Sequence, residues 1–325
     1  MKTGHGLLTV LGAINWDITL FEDDFAAPGE EVPVLRIEEG PGGKGANVAV
    51  AAARILGKGR VGFIGAVGDD RVGRELRDSL KAEGVSTDGA VSLRGRRSGS
   101  AHILVDRSGN KTIHTHFSAN DGLSPAHLDA PGPERAFTCA STVVLMDVPV
   151  STALAAAAKA RGAGKRLVYS PGVRCGEGYD SLSGVLENAD DVVLDRSELL
   201  RLRPSRTPRD SLLSVVGDFP HLTVVATLGP SGCLVGRRGL VGAVPPVSLG
   251  ALGLKAVNST GSGDAFLAAY VCYSTFGSTP RDAARWGNLA GALKATSRAT
   301  RGSPRRRVLE SRMAEVSGLR VQQQA

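Results

Sequence analysis

Short apolar runs bounded by glycine or polar residues recur along the chain, and helix-length stretches separate most of them. Residues 7–12, 61–67, 142–146, 166–170, 192–194 and 222–227 read as buried strands, because valine, isoleucine and leucine fill them with little alternation. Helices are predicted at 45–56, 70–83, 151–161, 179–188, 263–275 and 280–296, several of them rich in alanine. A hairpin is predicted near 232–244, where turn residues split two apolar stretches. From residue 40 onward the rhythm is β-α-β-α. It implies an α/β fold with a central, mostly parallel sheet and helices on both faces. Two regions break the rhythm, 18–40 and 87–118. They hold short alternating strands at 32–38, 100–105 and 111–116, with turn chemistry (D-R-S-G-N) at 106–110. Paired in space, they make a small β-sheet lid over the carboxyl edge of the main sheet, where ligands of such sheets bind. The expected organisation is an α/β domain of residues 1–17, 41–86 and 119–316, a lid of 18–40 and 87–118, and a loose C-terminal tail of 317–325.

Composition narrows the class. The 325 residues are 42% hydrophobic and 22% charged, which excludes a mainly disordered, collagenous or coiled-coil chain. Glycine is abundant, at 42 residues, and aromatics are few, as expected for thin α/β layers joined by many tight turns. No apolar run approaches the ~18 residues of a membrane helix, and the first residues show no cleavage pattern. The four cysteines, Cys139, Cys175, Cys233 and Cys272, are scattered without metal or redox spacing, which predicts a reducing, cytoplasmic setting. The net charge of +7 gathers partly in Arg298, Arg301, Arg305, Arg306, Arg307, Arg312 and Arg320. No aromatics interleave with them, so they read as a solvated helix face and terminus; neither nucleic acid nor membrane is expected as a partner. A basic field does favour an anionic substrate such as a nucleotide.

Two glycine clusters carry the chemistry. The first, G-P-G-G-K-G-A-N at 40–47, opens a helix. Its glycines let backbone approach a ligand, and Lys44 and Asn47 add polar groups. Its G-x-G-x-x-G spacing is a poor dinucleotide signal, since it lies far from the first strand and lacks the distal acidic residue. Lys44 is followed by glycine, which excludes a Walker loop. The second, N-S-T-G-S-G-D-A-F at 258–266, leads into an alanine-rich helix whose first N–H groups form an anion hole at Gly261, Ser262 and Gly263. Asp264 stands at that positive helix end, either as a plain N-terminal cap or as an acid–base group. His114 and His116 share one strand face with no third ligand in sight, and read as surface residues.

G-G-K-G-A-N followed about 220 residues later by T-G-S-G-D-A-F resembles the ribokinase-like (PfkB-type) carbohydrate kinases. The likeness extends to L-G-A-I-N-W-D at 11–17, G-A-V-G-D-D-R-V-G at 65–73, F-S-A-N at 117–120 with L-S-P at 123–125, and T-L-G-P-S-G at 227–232. The resemblance implies that family's fold and ATP-dependent phosphorylation of a sugar primary hydroxyl. Asp264 would be the base, and Gly261, Ser262 and Gly263 would hold the transferring phosphoryl group. Asn15, Asp17, Gly43, Lys44, Gly45, Asn47 and Asp147 would bind the sugar. Asp195, Thr227, Gly229, Ser231, Gly232 and Asn288 would line the ATP site, and Glu198 would organise Mg²⁺ through water. It further implies a monovalent-cation site, for K⁺, around Asn258, Thr260, Ala299 and Ser303, and a homodimer through the lid. Three departures stand out. Asp195 replaces the asparagine of the family's N-x-x-E, Asn258 replaces an aspartate, and Asp147 lies in a segment one residue short. Lys44 favours D-ribose, giving ribose 5-phosphate, over the sugars and nucleosides of other members. A nucleoside or other carbohydrate kinase is the alternative on this scaffold, and a non-catalytic sugar- or nucleotide-binding protein the alternative outside the enzymes.

Overall fold

A computed structural model describes residues 7–322. The chain begins with β1 (Leu8–Gly12), crosses into β2 (Asn15–Phe21) and β3 (Arg36–Gly42), and returns through α1 (Lys44–Leu56), β4 (Val61–Gly68), α2 (Arg71–Ala82) and β5 (Ser86–Leu93). The hairpin β6 (Gly99–Val105) and β7 (Lys111–His116) follows. Next come α3 (Pro131–Cys139), β8 (Thr142–Met146), α4 (Val150–Gly162), β9 (Arg166–Ser170), α5 (Tyr179–Asn188) and β10 (Asp191–Asp195). The remainder is α6 (Arg196–Leu202), α7 (Pro208–Asp218), β11 (Thr223–Thr227), β12 (Cys233–Arg237), β13 (Leu240–Val244), α8 (Ser262–Thr275), α9 (Pro280–Ala295) and α10 (Arg306–Gln322).

The large sheet runs β13-β12-β11-β10-β9-β8-β1-β4-β5, parallel except for the terminal hairpin β12–β13. Its strands segregate alternate residues to two cores. Val10, Val144, Val193 and Val225 pack under α1, α8 and α9, while Leu11, Leu145, Leu194 and Val224 pack under α4, α5, α6 and α7. A parallel strand covered on both faces has no polar side, which is why these runs are continuously apolar in sequence. The chain leaves β1 on both sides, toward β4 and toward β8. That reversal places a crevice beyond the carboxyl ends of β1 and β8.

The small sheet has the order β3-β2-β6-β7, and its β2 follows the carboxyl end of β1 after two residues, beside that crevice. The structure differs from the sequence expectation in three places. The sheet starts at Asn15, and its β3 runs four residues past the predicted 32–38 because Gly40, Pro41 and Gly42 pair with Asp17, Trp16 and Asn15. Residues 86–93, expected largely in the lid, instead pair in parallel with β4 as an edge of the large sheet. An edge strand with one solvated face alternates like a lid strand, so the pattern alone does not separate them. Finally, residues 317–322 are not a loose tail but continue α10; residues 323–325 lie outside the described residues. Arg306 and Arg312 on that helix pair with Glu310 and Glu315, as a solvated face does. Among the described residues no helix is long and apolar enough to cross a membrane, and all four cysteines are free thiols.

Candidate active site

Both glycine clusters open helices that start at the same crevice. Gly43 precedes α1 with φ 86°, and a side chain there would strike the backbone of Ile14 and Asn15. Gly45 lies against Gly12, bringing α1 onto the end of β1. Gly261 precedes α8 with φ 82°, its Cα hydrogen facing the Thr300 carbonyl. The consequence is a direct bond between residues 217 positions apart: Asn47 Nδ2 donates to Asp264 Oδ2 at 2.9 Å.

Around that bond the expected sugar ligands converge. Asn15 and Asp17 occupy alternate positions of β2 and so share one face of the lid. The Asn120 amide donates to Asn15 Oδ1 at 2.9 Å and also brackets Ile14, donating to its carbonyl and accepting from its N–H. Lys44 Nζ lies 3.3 Å from Glu198 Oε1 and 3.8 Å from Asp147 Oδ2. Asp147 follows β8 with φ 52°, a left-handed backbone uncommon outside glycine, and its Oδ1 accepts from the Val173 N–H. The electrostatics follow from crowding. Burial pushes the Asp264 carboxyl above its ordinary value, against the pull of Asn47 and Lys44. Burial likewise raises Asp17 to about 7, with Arg301 opposing and Asp264 reinforcing. Burial would lower Lys44, but the carboxylates of Asp147, Glu198 and Asp264 outweigh it and hold the ammonium firmly protonated.

At the second cluster, the first turn of α8 leaves the N–H groups of Gly263 and Asp264 outside the helix's own bonding. Ser262 differs from expectation, since its N–H is spent on the Ser259 carbonyl. Its Oγ, however, is buried with no partner, a polar atom waiting for one. Lys111, from the lid strand β7, reaches Thr260 Oγ1 at 3.1 Å, so lid and anion loop touch. Thr227 ends β11, and the turn through Gly229 and Ser231 to Gly232 closes on itself by Leu228 N–H to Gly232 O at 2.8 Å. Asn288 on α9 donates to Pro245 O at 2.9 Å, next to Val244, on which Gly232 also packs. These residues form one neighbourhood past the end of β11.

Glu198 and Asp195 cap α6 reciprocally: Asp195 Oδ1 accepts from the Glu198 N–H and Glu198 Oε2 from the Asp195 N–H. Asp195 therefore does the capping an asparagine would do. Among the described residues Glu198 accepts only Lys44 and that N–H, and a carboxylate offers about four acceptor positions. Its hard oxygens fit magnesium, which keeps several waters and needs few protein ligands. Among the described residues no group of three or more His, Cys, Asp or Glu is arranged to hold a metal, His114 and His116 included.

Two residues outside the expected set are built into the site. Arg301, read from sequence as solvated, turns inward. It donates to Asn47 Oδ1 at 3.0 Å, Ser79 Oγ at 3.0 Å and Gly42 O at 3.1 Å. Lys294, on α9, is fully buried beneath Gly261.

A sheet of this topology, a β lid and a cleft floored by two helix starts define an α/β kinase scaffold. The chain belongs to the pfkB family of carbohydrate kinases, whose model matches residues 6–306. It is thus a phosphotransferase that acts on a sugar hydroxyl. A ribokinase of Haemophilus influenzae is 28% identical over 303 residues, covering 91% of this chain and 94% of that protein. An ATP-dependent ribose-1-phosphate kinase of Halopiger xanaduensis is 30% identical over 294 residues, covering 90% and 93%. The structure of Arabidopsis thaliana ribokinase complexed with ribose and ATP matches with a TM-score of 0.80 at 20% identity, over 95% of this chain and 98% of that one, a likeness of fold.

Proposed function

We propose that the protein transfers the γ-phosphoryl group of ATP to the primary hydroxyl of D-ribose. The observation that carries this reading is the Asn47–Asp264 hydrogen bond, which joins the two clusters in one cleft. Asn47 holds one carboxylate oxygen of Asp264 and leaves the other for the sugar. Burial makes that carboxylate a better proton acceptor than a solvated one. Asp264 takes the hydroxyl proton as the sugar oxygen bonds to the γ-phosphorus and the bond to the ADP oxygen breaks. The N–H groups at Gly261, Gly263 and Asp264 and the Ser262 hydroxyl meet the charge spreading over the phosphoryl oxygens. Magnesium, when bound with ATP, supplies further neutralisation of the phosphates; Glu198, with Asp195, would hold it through water. Lys44, Asn15 and Asp17 hold the remaining sugar hydroxyls, while Thr227, Gly229, Ser231 and Gly232 line the nucleotide, with Asn288 fixing the loop beside it.

A homodimer through the lid is part of this proposal. Ile37 on β3 and Ile113 on β7, at its two edge strands, are 57% and 50% exposed, and a light-scattering mass of one subunit would remove it. The free cysteines are consistent with a cytoplasmic enzyme. The decisive experiment for the substrate is a panel of ribose, ribose 1-phosphate, fructose, adenosine, cytidine and pseudouridine with ATP. Ribose is expected to give the highest kcat/KM. Preference for a nucleoside or for ribose 1-phosphate would reassign the acceptor, and no transfer to any of them would favour a binding protein.

A further inference from the structure

The residues expected around a monovalent cation do not fit one, because protein donors already occupy their oxygens. The Asn258 carbonyl accepts Lys294 Nζ at 3.0 Å, and the Ser297 carbonyl accepts the same ammonium at 3.4 Å. Asn258 Oδ1 accepts the Thr260 N–H at 2.9 Å, and Thr260 Oγ1 takes Lys111. The Ala299 carbonyl accepts the Gly302 N–H at 3.0 Å, and the Ser303 carbonyl accepts the Arg54 guanidinium at 3.0 Å. Side-chain cations thus meet three of the four expected ligands, and a further ion would enter against their charge.

Lys294 is a lysine at 0% exposure in the last turn of a helix otherwise lined there by leucine and alanine. Nothing about packing asks for an ammonium at that position, and a buried charge persists only where polar groups hold it. Here two main-chain carbonyls hold it, the kind of ligand that suits a bare monovalent cation. Its stem passes 3.6 Å from the Cβ position of Gly261, directly under the loop that forms the anion hole. Burial and Lys111 lower its pKa to about 8, with Asp264 opposing, so the charge is present at neutral pH.

We propose that Lys294 is a tethered internal cation, a positioning residue whose ammonium replaces a bound monovalent ion beneath the anion loop and makes the enzyme independent of K⁺. The idea rests on the sugar-kinase reading and concerns how that site is held. The loop from Asn258 to Gly261 takes its shape from the bond to Lys294, and the N–H groups of the hole are aimed as a result.

The test compares wild type, Lys294→Ala and Lys294→Met in potassium, ammonium, sodium and choline chloride at equal ionic strength. Phosphoryl transfer and the thermal midpoint of the ligand-free protein are both followed. Wild type is expected to show the same kcat and midpoint in all four salts. Without potassium or ammonium the variants should lose about tenfold or more in kcat, less than the ~10²–10³ cost of a direct oxyanion donor. Potassium or ammonium should restore both readouts in the variants, whereas sodium and choline should not, a rescue that a merely structural lysine would not allow. Activation of wild type by potassium, or a wild-type midpoint that rises in potassium alone, overturns the proposal. So do variants that transfer phosphate equally in every salt. Should neither variant fold, the wild-type salt series alone decides. Should no sugar be phosphorylated, the sugar-kinase reading fails, and the thermal series still tests whether Lys294 excludes the ion.

Discussion

Replacement of Asp17 by asparagine should stabilise the protein in alkaline solution while damaging its site. Asp17 lies on the inner face of β2, and its carboxylate occupies the space where a Gly42 side chain would begin, 1.9 Å from that Cβ position. Enclosure raises its pKa to about 7, although Arg301 opposes the shift. The sign follows from proton counting. Between about pH 4 and about pH 7 the folded protein keeps a proton that the unfolded chain has released, so stability falls as pH rises through that window. The stabilising protonation is complete below the unfolded value of 3.8 and lost above the folded one. A gap of that size corresponds to about 4 kcal/mol; residual exposure and screening reduce the expected effect to about 1–3 kcal/mol. Asparagine cannot ionise, so Asp17→Asn should match wild type near the acidic end of the window and exceed it by that margin at the alkaline end. Urea midpoints of both proteins across the window give the difference curve directly, and the other carboxylates cancel in it. A difference independent of pH, or a wild type more stable at the alkaline end, would refute the reasoning. The same variant should raise the sugar KM by about tenfold or more through loss of a charged hydrogen bond, with the ATP KM little changed.

Asp264→Asn should lower kcat by about 10²–10⁴, the worth of a general base, with nucleotide affinity by calorimetry preserved; near-full turnover would remove Asp264 from the chemistry. Lys44→Ala should raise the sugar KM far more than the ATP KM in a coupled assay, because it leaves Asp147 and Glu198 facing each other without their shared cation. Gly261→Ala should cost about 1–2 kcal/mol for its left-handed backbone alone, plus a contact 2.6 Å from the Thr300 carbonyl. A lowered thermal midpoint together with lowered kcat checks this, and a variant unchanged in both would mean that the loop relaxes freely.

The central sheet and the site's two anchors were legible because their physics is local. Continuous apolar runs mark strands buried on both faces, and G-G-K-G-A-N and T-G-S-G-D read as backbone freedom followed by a helix start. Residues 179–188 were read to their ends, since glycine precedes them and an apolar stripe fills them. What stayed hidden depends on distant partners. Arg301 is one arginine among several near the end of the chain, and only the fold brings Asn47, Ser79 and Gly42 to it. A lysine after leucine in a helix, as at 294, looks like a solvated face until the Asn258 loop closes over it. Residues 86–93 alternate because β5 is an edge, and the strand expected at 32–38 extends through 39–42 because that glycine–proline stretch pairs against β2. A closer look at the lysine in an otherwise small, apolar helix end was the one signal available for Lys294.

The lid is not an accessory hung beside the catalytic body. Its strand β2 continues from β1 after two residues, and Asn120 clamps Ile14 between them through both backbone groups. Asn15 and Asp17 therefore belong to the small sheet, whereas Lys44 and Asp264 belong to the body. An acceptor gripped by all four would act as a tie bar that draws the two sheets together. Under the proposed function the acceptor would then assemble the donor's surroundings, an order of entry with the acceptor first. A nucleotide arriving alone would then find Lys44 and Asp264 without their partners on the lid, and phosphoryl transfer to water would be disfavoured until the acceptor is in place.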